Sequence, residues 1–181
     1  MAKLVSKVYG DALFSLSLEE NKLDEVWEEV RTLSEALQEN KEFTGIMTHP
    51  DMTQEKGLAL LDEAFGGKLS DIVMGFLQVL VKKGRFSEIL PVLDYFQREA
   101  KEYKRIGVVY VTTPTELTGE QKSGIVERLT QTSGYESLEM NYAVDPRLLG
   151  GIRIRIGDRV LDNSIQTKLE ELSRSLSKVR V

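Results

Sequence analysis

The apolar period of this chain changes once, at Lys104-Arg105-Ile106. That change constrains the fold more than any other feature. Before it, apolar residues recur at i, i+3 and i+4, the signature of amphipathic helices. After it, β-branched residues run together and then alternate with polar ones, the signature of strands.

Six helices are read in the first part. The first covers about Leu4 to Leu18, with Leu4, Val5, Val8, Tyr9, Ala12, Leu13 and Leu16 as one core stripe and Asn21 as its stop. The second covers Leu23 to Gln38. Its apolar side carries Val26, Trp27, Val30 and Leu33, and its solvent side carries Glu28, Glu29, Arg31 and Glu35. Lys41 to Met47 forms a short third helix, closed before Pro50 because the residue preceding a proline is pushed out of α geometry. Thr53 opens the fourth, and Gly66-Gly67 stops it. Ser70-Asp71 opens the fifth, which runs to about Lys83. The sixth runs from Ser87 to about Arg105, with Pro91 near its first turn, where proline costs least.

The fifth helix is unusual. Ile72, Val73, Met74, Phe76, Leu77, Val79, Leu80 and Val81 wrap almost all the way round it. A helix with no polar face is either enclosed or shows a second face to a partner. Enclosure on every side is hard to arrange in so small a bundle, so a partner groove is a reading of equal standing.

Beyond the change of period, Ile106 to Thr113 reads as a strand closed by Pro114. Thr118 caps a helix with Gln121 at its third position, and Ser133-Gly134 ends it. Leu138 to Val144 is the next strand. Ile152, Ile154 and Ile156 then alternate with Arg153 and Arg155. Gly157-Asp158 makes a two-residue hairpin with glycine first, and Arg159, Val160 and Leu161 return. Gly150-Gly151 frees the backbone for a bend, and Ser164 is the N-cap of a last helix. The fold class is α+β: a six-helix bundle over residues 1–104, then a small β-α-β-β-β-α domain over 105–181.

Chemistry is scarce. The 181 residues include no cysteine, which excludes disulfides and thiolate nucleophiles or metal sites. His49 is the only histidine and has no further ligands at helical or turn spacing, so it reads as a loop residue. The glycines match neither a phosphate-binding loop nor GxGxxG. Asp145, Asp158 and Asp162 are explained by turn and cap chemistry. No catalytic residue, cofactor site or metal site is expected. Nor is a signal peptide or membrane span, since no apolar run approaches the ~20 residues a span needs.

The formal net charge of −5 opposes nonspecific nucleic-acid binding. It is uneven. Residues 145–181 carry 8 Lys+Arg against 5 Asp+Glu, net +3, on a body of net −8, a pattern suited to an acidic protein partner.

The run D-P-x-L-L-G-G followed by I-R-I-x-I-G-D-x-V-L-D-x-S, from Asp145 to Ser164, resembles the C-terminal signature of the delta subunit of bacterial F-type ATP synthases. That family includes the mitochondrial oligomycin-sensitivity-conferring protein. Val8-Tyr9-Gly10-Asp11-Ala12-Leu13-Phe14 and Lys82-Lys83-Gly84-Arg85-Phe86 are similar to the family's patterns in the first helix and at the end of the fifth. One departure is Asn163, where the family usually has glycine. Asparagine is the next best residue at positive φ, so the turn is expected to survive.

The resemblance implies a non-catalytic stator subunit that joins the catalytic hexamer to the peripheral stalk and resists rotor torque. It implies a monomer within a hetero-complex, peripheral to the cytoplasmic face of the cell membrane. It places an N-terminal helix of an alpha subunit between the first and fifth helices. The residues expected there are Tyr9, Ala12, Leu13, Gly75, Phe76, Val79 and Leu80. The stalk b subunits would meet the C-terminal domain, with Leu169, Leu172 and Leu176 as candidates beside their alternative role of packing on the hairpin. A competing reading is a small RNA-binding α/β module using Arg153, Arg155, Arg159 and Tyr110. A hydrolase is weaker, because no nucleophile–base pair is visible.

Overall fold

The computed structural model describes residues 2–169, with side chains from residue 4. The chain divides into two compact units, Met1–Lys101 and Glu102–Val181, each described by itself.

The first unit contains six α-helices among the described residues: α1 (Ala2–Glu19), α2 (Leu23–Glu39), α3 (Lys41–Met47), α4 (Gln54–Phe65), α5 (Asp71–Lys82) and α6 (Ile89–Tyr103). Local chemistry sets the boundaries. Asn21 turns the chain after α1 at φ +54°. The Thr53 hydroxyl caps α4 by accepting the Lys56 N–H, and Ser70 caps α5 by accepting that of Val73. The sixth helix differs from expectation at both ends. Phe86–Glu88 form a 3₁₀ turn, so α6 proper starts at Ile89 with Pro91 as its third residue. Arg105 lies at φ +52°, which no α-helix continues through.

The apolar stripes meet in one core. Val26 and Val30 of α2, Leu61 of α4, Val73, Leu77 and Leu80 of α5, and Ile89, Val92, Leu93 and Phe96 of α6 are fully buried. Each such side chain contributes about 1.5–3 kcal/mol of transfer free energy. Edge-to-face rings stitch the ends: Phe14 meets Phe96 at 6.3 Å, and Phe43 meets Phe65 at 5.5 Å and Phe86 at 6.3 Å.

Polar pins fix the helices that matter below. Tyr95 Oη donates to Asp11 Oδ1 at 2.8 Å, and Gly10 lies directly under the Tyr95 ring, so α1 seats on α6. Accepting that proton, Asp11 pushes Tyr95 up to about 12, so the hydroxyl stays a donor at neutral pH. Glu29 corrects the sequence reading. It is not a solvent-face carboxylate. It is half-buried and accepts from Ser70 Oγ at 2.7 Å and from Ser70 N at 3.0 and 3.1 Å.

The second unit holds β1 (Ile106–Thr113), α7 (Gly119–Ser133), β2 (Ser137–Val144), β3 (Arg153–Ile156) and β4 (Arg159–Asp162), with helical residues again from 165. The sheet order is β2-β1-β3-β4. β1 and β2 are parallel, and the other two pairs are antiparallel. Thr118 and Gln121 form the expected capping box, and Gly134 closes α7 in the left-handed conformation. Val109, Val111 and Leu129 make the core, flanked by Met140, Ile154 and Ile156. Residues Tyr110 and Arg155 pair across the opposite face, where the guanidinium carbon stands 4.5 Å from the ring centroid.

The stretch from Asp145 to Ser164 folds into a clasp. Asp145 accepts the Arg147 N–H and its Nε, which holds the Asp145 carboxyl below the usual carboxylate range. Gly151 lies at φ +84°, and a Cβ there would overlap the Asn163 carbonyl. Asn163 N donates to Ile152 O at 3.0 Å, and Ile165 N to Gly150 O at 3.0 Å. The two glycines therefore serve a close backbone crossing. Asn163 itself is not at positive φ, so glycine is not needed at that position; Leu149, the non-glycine residue of this stretch at positive φ (+60°), follows the Pro146–Leu148 turn. Asp162 ties the clasp. Its Oδ1 accepts Ser164 N at 2.9 Å and its Oδ2 accepts Arg153 Nε at 2.7 Å. The hydrogen bonds from Ser164, with that from Arg153 after them, hold the Asp162 carboxyl well below the ordinary range.

Two stability tests follow. In Gly10→Ala the gain in helix propensity, about 1 kcal/mol, is set against overpacking of about 1–3 kcal/mol. The Tyr95 ring cannot swing clear without losing Asp11, so overpacking wins: the urea midpoint falls with an unchanged slope. For Asp162 the folded carboxyl is depressed, so its stabilisation is present above the unfolded value of ~4 and is lost as pH falls below it. Asp162→Asn is therefore less stable than wild type at pH 7, and thermal melts of the two converge on acidification.

Candidate functional site

The bundle leaves apolar side chains exposed on α1 and α5. α1 and α5 pack against each other. On α1, Leu4 is 69% exposed and Val8 58%, with Ala12 and Leu16 exposed after them at the same four-residue spacing. On α5, Val79 is 43% exposed, and Ile72 and Gly75 precede it at half-buried positions. Residues at i, i+3 and i+7 share one helix face. Val73, Phe76, Leu77, Leu80 and Val81 form the opposite, buried face. The all-round apolar character of α5 thus resolves into a core face and a second, outward face.

The seven residues proposed for this surface from sequence separate into two layers. Tyr9 and Gly75 are half-buried, and Ala12 and Val79 are exposed. By contrast, Leu13 at 2%, Phe76 at 9% and Leu80 at 0% exposure belong to the core. Their bulk supports the surface from beneath. Sequence reasoning assigned Leu4, Val8 and Leu16 to the core stripe, and the structure turns them outward. The signal was the width of that stripe: at about 100° per residue, Leu4 to Leu13 spread over an arc of about 180°, so its outer edge faces away from the core.

Gly75 is informative. A Cβ placed on it meets nothing within 4 Å. Glycine inside a helix costs about 1 kcal/mol relative to alanine, and no contact within the bundle requires it.

In the second unit, α7 covers part of the sheet. Leu129, Thr132 and Ser133 of α7 face Ile154, Ile156, Arg159 and Leu161 across an open groove. Leu169 is 52% exposed, while Leu172 and Leu176 lie outside the described residues. The opposite sheet face offers little free cation to a nucleic acid, since Arg153 is bound to Asp162 and Arg155 stacks on Tyr110.

Among the described residues, neither unit presents catalytic geometry. His49 is an exposed loop residue whose Nδ1 accepts the Asp51 N–H at 3.2 Å. Among the described residues, no group of three or more His, Cys, Asp or Glu side chains is arranged to hold a metal ion. No helix among them is long and apolar enough to cross a membrane.

Comparison with known proteins agrees with this picture. Residues 5–176 match the family model "ATP synthase delta (OSCP) subunit". The ATP synthase subunit delta of Lachnoclostridium phytofermentans is 45% identical over 181 residues, covering 100% of both chains. That of Brevibacillus brevis is 33% identical over 174 residues, covering 96% of this chain and 99% of the relative. The fold also matches a chain in the cryo-EM structure of the Toxoplasma gondii mitochondrial ATP synthase hexamer. The TM-score there is 0.74 at 20% identity, with 94% of this chain and 96% of that one covered. The chain belongs to the ATP synthase delta (OSCP) family: it is a non-catalytic stator subunit of the ATP synthase, associated with the membrane through that complex.

Proposed function

We propose that the outward face shared by α1 and α5 is the seat of an amphipathic N-terminal helix of the ATP synthase alpha subunit. The second unit then meets the stalk b subunits, so that this chain ties the catalytic hexamer to the stalk on the cytoplasmic face of the cell membrane. The observation that carries the first contact is Gly75. A glycine that weakens its own helix and faces open space is useful if a second helix must approach the backbone there. Ala12 on α1 is small for the same reason. Leu4, Val8 and Val79 supply apolar area around these small residues, at roughly 25 cal/mol per Å² before association costs. Leu169, Leu172 and Leu176 remain the residues proposed for the stalk.

The two halves of this argument separate in Gly75→Ala. The substitution stabilises the isolated chain by up to about 1 kcal/mol, seen as a higher urea midpoint, and weakens binding of a synthetic peptide of the cognate alpha N-terminus. A stabilised chain with undiminished affinity would mean that no helix approaches Gly75.

Val79→Asp places a charge on the apolar face and lowers affinity for that peptide by about tenfold or more in calorimetric titration. Saturable one-to-one binding by the wild type is expected. Equal binding by Val79→Asp would refute the assignment of this face.

A further inference from the structure

We infer that Glu29, which lies on α2 and outside the α1–α5 surface, is a positioning residue that presets that surface for its partner. The inference deepens the proposed function and rests on it.

Ser70 is the N-cap of α5. Ser70 stands outside the hydrogen-bond ladder of the helix, so its N–H needs an acceptor from elsewhere. Glu29, 41 positions earlier in the chain, supplies it through both carboxylate oxygens at 3.0 and 3.1 Å, and also accepts from the Ser70 hydroxyl at 2.7 Å. Donating to Glu29 leaves the Ser70 oxygen free to accept from Val73 N. One carboxylate thus fixes the cap rotamer and the position of the first turn. Charge-assisted bonds to a helix N-terminus are among the stronger polar contacts a protein makes, because the positive end of the helix faces the anion.

The other end of α5 is pinned as well. Gln54 Nε2 of α4 donates to Lys82 O at 3.1 Å. α5 is therefore held at both ends by side chains of helices that do not share its outward face. The α1 wall is held from behind in the same manner, by Tyr95 and Asp11. At 1.5 Å per residue, Gly75 stands about 7 Å along the axis from Ser70. If the Glu29 pin is lost, α5 pivots about its C-terminal end, and the Ile72–Gly75 half of the surface moves most.

Calorimetric titration of full-length variants with the alpha N-terminal peptide, at a temperature where each is fully folded, tests this. Glu29→Ala weakens binding about tenfold, the scale of a lost charge-assisted hydrogen bond. Glu29→Gln recovers most of the affinity, because its amide oxygen still accepts from Ser70. Glu28→Ala, which removes an exposed partner of Arg31, leaves affinity unchanged. Ser70→Ala, which loses the hydroxyl bond to Glu29 and the cap to Val73 N but keeps the backbone N–H on the carboxylate, provides a second variant, and the losses in Glu29→Ala and Ser70→Ala combine less than additively because they share one hydrogen bond. A lowered melting temperature with unchanged affinity in both Glu29→Ala and Ser70→Ala would make Glu29 merely structural and overturn the inference, leaving the partner surface intact. Absence of binding by the wild-type chain would overturn the surface itself, and this inference with it.

Discussion

Helix α5 is the constraint on which the first unit depends. Its buried face reaches α1, α2 and α4, so its five core side chains fix the spacing of the bundle. It is also too apolar to be finished by that packing. A free-standing chain would gain solubility from a polar residue at Val79 and stability from alanine at Gly75. Both departures lie on the outward face of α5, the helix that packs against α1, where Leu4, Val8 and Leu16 are also exposed. This localised stability cost supports the proposal that another molecule completes the surface.

The second unit shows a different economy. Its hairpin and helix start are joined by a clasp in which backbone crosses backbone at Gly150-Gly151, and one carboxylate, Asp162, serves a strand partner and the next helix at once. Residues that resemble a catalytic or phosphate-binding cluster in the sequence are consumed by this local geometry. Of the arginines that could have faced a nucleic acid, Arg153 is held by Asp162 and Arg155 stacks on Tyr110, while Arg159 lines the groove with Ile154 and Ile156.

The helices and strands were legible because each follows a clean period and carries its own punctuation. Thr53, Ser70 and Thr118 all cap where their spacing said they would. The order β-α-β-β-β followed from the period change at Arg105 and the Gly-Asp turn. Three things were not legible. Glu29 looked like one of several solvent carboxylates, because nothing local distinguishes a side chain whose partner lies 41 residues away. Leu4, Val8 and Leu16 looked like core, because periodicity assigns a residue to a broad stripe but not to its inner or outer edge. Asn163 was expected at positive φ, yet in that stretch the non-glycine residue at positive φ is Leu149, a type seldom found there. Backbone pairing between 150–152 and 163–165 decides that geometry, and no single-residue preference encodes it.

Methyl NMR of the full chain with a synthetic peptide of the cognate alpha N-terminus probes the proposed α1–α5 partner surface. Intermolecular contacts from Leu4, Val8 and Val79 are expected, with the deeply buried methyls of Val26 and Leu77 showing none. Contacts confined to the α3–α4 surface around Ile46, or to residues 102–181, would place the partner elsewhere and refute the assignment.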